Sequence, residues 1–239
     1  IQIYCDFSGY SDMAIGIALL LGFKIPMNFN APLTADSMTD FWRRWHISLS
    51  TWIRDYVYIS LGGNKKGTLR MYFNQMVAMT ACGLWHGASL NFIVWGVLHG
   101  ALVCVHKFWS QTVLKHDRRY HPSGLRRFIS VFITFHVLCF TWLFFRCKDF
   151  DAVWVMVKQM FTKFNPSVLP DVFMGYKYVF LLMIFALLTH WIPDSWQNRC
   201  VRILEKGGVL LSAIAITIVI FIIMQVKSSD IQPFIYFQF

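Results

Sequence analysis

Charged side chains are scarce in this sequence: Asp, Glu, Lys and Arg together make up 14% of its 239 residues. A soluble domain carries about 25%, so an ordinary water-covered globule is excluded as the first reading. Cysteine pairing is also missing. Cys5, Cys82, Cys104, Cys139, Cys147 and Cys200 form no CxxC and no recurring spacing, which gives neither a disulfide framework nor a zinc site. Most of them lie in apolar runs, where a thiol behaves as a small hydrophobe. The sequence has no GxSxG elbow, HExxH, Walker loop or GxGxxG, which removes the commonest hydrolase, zinc-protease and nucleotide-binding signatures. It shows no internal repeat, coiled coil or low-complexity tract. It does not begin with Met and carries no signal-peptide pattern, so we expect a piece of a longer protein.

Apolar and aromatic residues are abundant. Hydrophobic residues make up 56% and aromatics 18%, with 23 Phe and 10 Trp and a mean hydropathy of +0.50. This balance predicts an integral membrane protein, with Phe and Trp facing lipid and anchoring at the interface. The net charge of +10 would suggest nucleic-acid binding in a soluble chain. In a membrane protein the same excess belongs to loops against anionic headgroups, so membrane lipid is the expected partner and nucleic acid is not.

The order of segments predicts an all-α, polytopic bundle. Residues 1–23 run from polar "IQIYCDFSGYSD" into apolar "MAIGIALLLGF", a membrane helix whose Asp6 and Asp12 end faces the bundle interior. "KIPMNFNAPLTADS" is a loop, with Ser37 or Asp36 as the cap of a following helix. That helix, "MTDFWRRWHISLSTWIRDYVYI", is too charged to span and too aromatic to be solvated, which predicts an interfacial or re-entrant position. The run Met71–Leu84 and the helix reaching Val105 are not clean twenty-residue spans. The basic loop 106–127 carries Lys107, Lys115, Arg118, Arg119, Arg126 and Arg127 against Asp117, and is expected on the cytoplasmic side. Clear spans follow at 128–145, 176–192 and 208–226, with an amphipathic surface helix over 151–164 and an interfacial aromatic terminus.

Ionisable groups inside such segments are functional candidates, because hydrocarbon is more cheaply filled by apolar side chains. His86, in "GLWHGAS", lies between Gly83 and Gly87, which permit close approach of a ligand or a backbone. A neutral imidazole there suits a general base, and it equally suits helix packing beside small residues. His99, thirteen positions on, reads as a supporting or packing residue, and His136 as an interhelical hydrogen-bonding one. His46 follows Arg43 and Arg44, whose guanidinium forks suit phosphate or carboxylate, or simple interfacial anchoring. The spacing of His46, His86 and His99 gives a metal site little support; we expect none.

Three stretches, "DFSGYSDMAIGIALLLGFKIPMNFNAP", "FWRRWHISLSTWIRDYVYISLGGN" and "GLWHGASLNFIVWGVLHG", resemble in this order the membrane-bound O-acyltransferase (MBOAT) family. The branch is similar to bacterial alginate O-acetyltransferase, and "TWLFFRCKDFDAV" and "FIYFQF" extend the likeness. The resemblance implies that residues 1–239 are the C-terminal portion of a single membrane domain, an all-α bundle with a central tunnel, whose N-terminal part is absent. It implies that His86 is catalytic and that His46 lines the same tunnel. Asp55, Trp85 and Asn91 receive a supporting role from matching motifs.

The reading that follows is an O-acyltransferase of the bacterial cytoplasmic (inner) membrane that crosses it several times. Acetyl-CoA or another acyl donor is its substrate, and no bound cofactor is expected. Arg43 and Arg44 would hold donor phosphates, His99 would border the tunnel, and extracytoplasmic partner proteins would carry the acyl group to an exported polysaccharide such as alginate. The alternatives are a proton-coupled transporter or channel using His46, His86, His99 and Asp12, and a structural subunit of a polysaccharide export complex.

Overall fold

The computed structural model describes residues 1–117 and 120–226. Among them the regular structure is all helical, in two compact units, Ile1–Met174 and Gly175–Phe239. Arg118, Arg119 and the aromatic terminus lie outside the described residues.

The first unit opens with α1, Gln2–Leu20, about 28 Å long. It buries Ile3, Phe7 and Ser11, one residue per turn, so a narrow stripe meets the rest of the unit. Next come α2, Met38–Arg44, and α3, Ile47–Trp52. Ser37 caps α2 by accepting from the Asp40 amide at 3.2 Å, as its position before the helical run predicts. The single helix expected from Met38 to Ile59 is instead broken at Trp45 and His46. Trp45 is extended, and His46 sits in the left-handed region at φ 43° and ψ 56°. Segment 28–30 fastens this break: the Ile47 amide donates to the Asn28 carbonyl at 3.0 Å and the Asn30 amide to the Arg44 carbonyl at 3.0 Å. Beyond α3 the chain continues as a π-helical turn, Ile53–Tyr58.

The frame of the unit is a helical hairpin of α4, Thr68–His86, and α5, Leu90–Lys107. Backbones touch where Gly83 faces Gly96. A Cβ on Gly83 would lie 2.2 Å from the Phe92 carbonyl oxygen, and one on Gly96 would lie 2.5 Å from that of Met79. Small residues allow this approach, and dispersion across the close contact then holds the helices together. Asn74 of α4 donates to the Leu61 and Gly63 carbonyls at 3.3 and 3.0 Å, which docks the "LGGN" turn on the hairpin.

α5 runs on as a π-helical segment, Phe108–Val113, so Leu90–Val113 forms one apolar stretch of 24 residues, long enough to cross a membrane. This corrects two expectations, that the opening of the basic loop lies at residue 106 and that this helix is no clean span. The π turn carries "FWSQTV" onward in helical form. α6, Gly124–Arg146, is a second stretch long and apolar enough to cross a membrane, and α7, Phe150–Thr162, is the amphipathic helix, capped by Asp149 and buried only at Val153. A short α8, Leu169–Gly175, follows.

The core of this unit lies between α2, α5 and α6. Phe41 and His99 are fully buried, and Trp95, Leu138 and Thr141 are nearly so. Phe41 stacks on Trp45 at 5.5 Å, and Trp45 lies 5.0 Å from Trp142, so aromatic contacts seat the α2 break against α6.

In the second unit α9, Lys177–Thr189, has 13 residues, about 20 Å, so it is shorter than the span expected over 176–192. The helix α10, Asp194–Val226, changes direction at Gly208 (φ 61°, ψ −158°). Asn198–Gln225 within it is the third stretch long and apolar enough to cross a membrane.

Candidate active site

The last residue of α4 is His86, where Gly87 ends the helix. A helix C-terminus carries partial negative charge and favours a cation, which suits a side chain that accepts a proton there. Its imidazole is ringed by aromatics: Trp85 at 4.9 Å, Phe145 at 5.0 Å and Trp95 at 5.2 Å, each close to perpendicular. His86 is half-buried, and Trp95 and Phe145 beside it are buried.

His46 meets the same site from the α2–α3 break. Its ring lies 5.9 Å from Trp85 and 4.7 Å from Phe7. Left-handed backbone at a non-glycine residue costs of order 1 kcal/mol, and residues held there cluster at functional sites. Here the conformation turns the imidazole out of the α2–α3 path and onto Trp85. His46 is 8% exposed, its Nδ1 has no hydrogen-bond partner among the described residues, and burial pushes its pKa below the ordinary value, so it is neutral at pH 7.

His99 closes the row. It is 4.5 Å from Trp95 and 5.4 Å from Trp42, and is completely buried. Nε2 lies 2.9 Å from Thr141 Oγ1, and that hydroxyl donates its one proton to the Leu138 carbonyl at 3.0 Å. Nε2 therefore carries the hydrogen and donates, which leaves Nδ1 as the bare acceptor. The three histidines alternate with indoles in the order His46, Trp85, His86, Trp95, His99.

The remaining candidates separate. Asn91 is buried, and its amide nitrogen donates to the Cys147 carbonyl at 3.0 Å, tying the start of α5 to the end of α6. Trp85 is 56% exposed and bridges His46 and His86. Asp55 lies in the π turn with its carboxylate on Arg54 at 2.7 Å, and that bond holds its pKa below the usual carboxylate value. Arg44 holds Asp40 at 2.8 Å. Asp12 is exposed on α1. His136 departs from expectation: Nδ1 bonds the Phe132 carbonyl of its own helix at 2.8 Å rather than a neighbouring helix.

A cavity of about 560 Å³ lies in the same unit, with Arg43, Arg54, His106, Lys107, Gln75 and Trp42 in its wall together with the carboxylates of Asp40 and Asp117. Lys107 Nζ is 2.9 Å from Gln75 Oε1, and His106 Nδ1 is 2.9 Å from Thr39 Oγ1. Trp42 belongs to both the cavity and the histidine row, being 5.8 Å from Trp95. Sequence reasoning missed Thr141, Phe145 and this cavity. Part of the signal was available: Phe92, Trp95, Gly96, His99, Gly100 and Val103 form one buried stripe of α5 at helical spacing.

The geometry thus defines a helical membrane protein with a histidine–tryptophan site beside a basic cavity. The family model for "MBOAT, membrane-bound O-acyltransferase family" matches residues 1–146, which contain every one of these residues, and the chain belongs to that family. It is 47% identical over 161 residues to the probable alginate O-acetylase AlgI of Azotobacter vinelandii, covering 67% of the chain and 31% of that protein. Against the peptidoglycan O-acetyltransferase of Helicobacter pylori it is 43% identical over 159 residues, 66% of the chain and 29% of the relative. The teichoic acid D-alanyltransferase of Bacillus subtilis is 33% identical over 159 residues, 62% and 39% respectively. The chain therefore spans about a third of the length of these relatives.

Proposed function

We propose that this chain carries the base and part of the donor site of an O-acyltransferase, which moves an acetyl group from acetyl-CoA toward an exported polysaccharide such as alginate. The observation that carries the reading is the His46–Trp85–His86 arrangement at the break after α4, inside the segment matched by the family. His86 takes the proton of an acceptor hydroxyl as its oxygen attacks the thioester carbonyl. The new C–O bond forms, the C–S bond breaks, and the imidazolium returns the proton to the thiolate. The basic cavity suits the donor's phosphates, with Arg43 as the guanidinium that offers its charge, since Arg54 in the same wall is paired with Asp55. Support for a polysaccharide or glycan acceptor comes from what the relatives are named for. The expected setting is the bacterial cytoplasmic membrane, crossed several times, with extracytoplasmic partner proteins receiving the acyl group.

The test is transfer of labelled acetyl from acetyl-CoA by membranes holding the full-length protein or its His86→Ala variant. We expect a loss of about 10²–10⁴-fold. A variant that inserts normally and transfers at the wild-type rate removes the assignment. A proton-coupled transporter draws on the same row of histidines; donor-free flux into liposomes, without acyl transfer, would establish it instead.

A further inference from the structure

We propose that Phe92, Trp95 and Phe145 form a wall behind His86 that limits the transferred acyl group to a short one. The inference rests on the acyl-transfer reading and adds a specificity determinant to it. The imidazole is 5.0 Å from Phe145, 5.2 Å from Trp95 and 6.3 Å from Phe92, centroid to centroid. The wall rings also meet one another, Phe92 to Phe145 at 5.1 Å and Trp95 to Phe145 at 5.4 Å. Rings at these separations are in van der Waals contact, and no methylene passes between them.

The wall is backed firmly. Phe92, Trp95 and Phe145 are 5%, 2% and 4% exposed. The Phe92 carbonyl abuts Gly83, and its ring fills the place where a Cβ on Gly87 would sit, 2.8 Å away. Trp95 is held from the other side by Trp42 and His99. Trp85 is 56% exposed whereas the three wall rings are buried, so a reacting carbonyl within reach of the His86 base approaches past Trp85. A two-carbon acyl group ends before the wall, whereas each further methylene presses on rings that have no room to retreat.

The experiment measures kcat/KM with acyl-CoA donors of two, four and eight carbons, using membranes that hold the full-length protein, wild type or with Phe145→Ala or Phe92→Ala. A methylene excluded from a closed pocket is worth about 10–200-fold. We therefore expect the wild type to favour two carbons over eight by at least about 100-fold, and either variant to raise the four-to-two ratio by about tenfold. Phe145→Leu serves where the alanine variant fails to insert, with a smaller gain. A wild type that uses eight carbons as well as two overturns the wall. So does an unchanged ratio in variants that insert normally. Inactivity of the wild type with every donor overturns the acyl-transfer reading itself.

Discussion

His99 shows how one hydroxyl fixes the chemistry of a buried ring. Thr141 gives its proton to Leu138, so the imidazole must donate from Nε2, and its other nitrogen is left as an acceptor beside two indoles. Thr141→Val keeps the shape and removes the acceptor, which strands a buried N–H at about 1–3 kcal/mol. Thermal unfolding in detergent should show a lowered Tm for Thr141→Val and a near-wild-type Tm for Thr141→Ser. Equal Tm values for valine and wild type would mean that the hydrogen bond does not hold the ring. His99 itself was legible as an intramembrane ionisable group; Thr141 was not, because the bond joins positions 42 apart and a threonine in an apolar helix carries no signal. His46 was legible through its motif, whereas its left-handed backbone was not. The break there has no glycine or proline to announce it, and is held by bonds from the distant segment 28–30.

At the scale of elements, the α4–α5 hairpin positions the site, because His86 ends one helix and Trp95 and His99 project from the other. The crossing depends on bare backbone at Gly83 and Gly96. Gly83→Ala or Gly96→Ala must push the helices apart, since the atoms met are carbonyl oxygens that cannot rotate away. Overpacking of this kind costs about 1–3 kcal/mol. We expect a lower Tm and reduced acyl transfer for both variants, and little change for Gly16→Ala, where an added Cβ meets nothing within 4 Å. Wild-type stability and activity in Gly83→Ala would remove the crossing from its positioning role. The apolar runs of α6 and α10 were readable as spans because each is continuous and long. The span at Leu90–Val113 was obscured by His106 and Lys107, which opened the expected basic loop but lie in the last turn of α5, and by polar Ser110 and Gln111 in the π turn beyond. The span expected over 176–192 is cut to 13 residues, although its composition is fully apolar at the centre.

At the scale of the molecule, composition already pointed to a membrane bundle, but the division of labour among its basic residues appears only in three dimensions. Arg43 and Arg44 are neighbours with the same side chain and opposite surroundings. Arg44 is bound to the buried carboxylate of Asp40, whereas Arg43 is exposed in the wall of the cavity that meets the histidine row at Trp42. A donor carrying phosphates gains from Arg43 equally in the ground state and the transition state, because the phosphates lie far from the bond that changes. Loss of such uniform binding raises KM and spares kcat. Arg43→Gln should therefore raise the donor KM about tenfold, the equivalent of 1.4 kcal/mol, with kcat nearly unchanged. Added salt should raise KM more in the wild type than in the variant, because the charge it screens is the one removed. Arg44→Gln should behave differently, lowering Tm through the stranded Asp40 carboxylate while the donor KM of the surviving protein stays near wild type. If Arg44→Gln raises KM and Arg43→Gln does not, the cavity is not where the donor's phosphates bind.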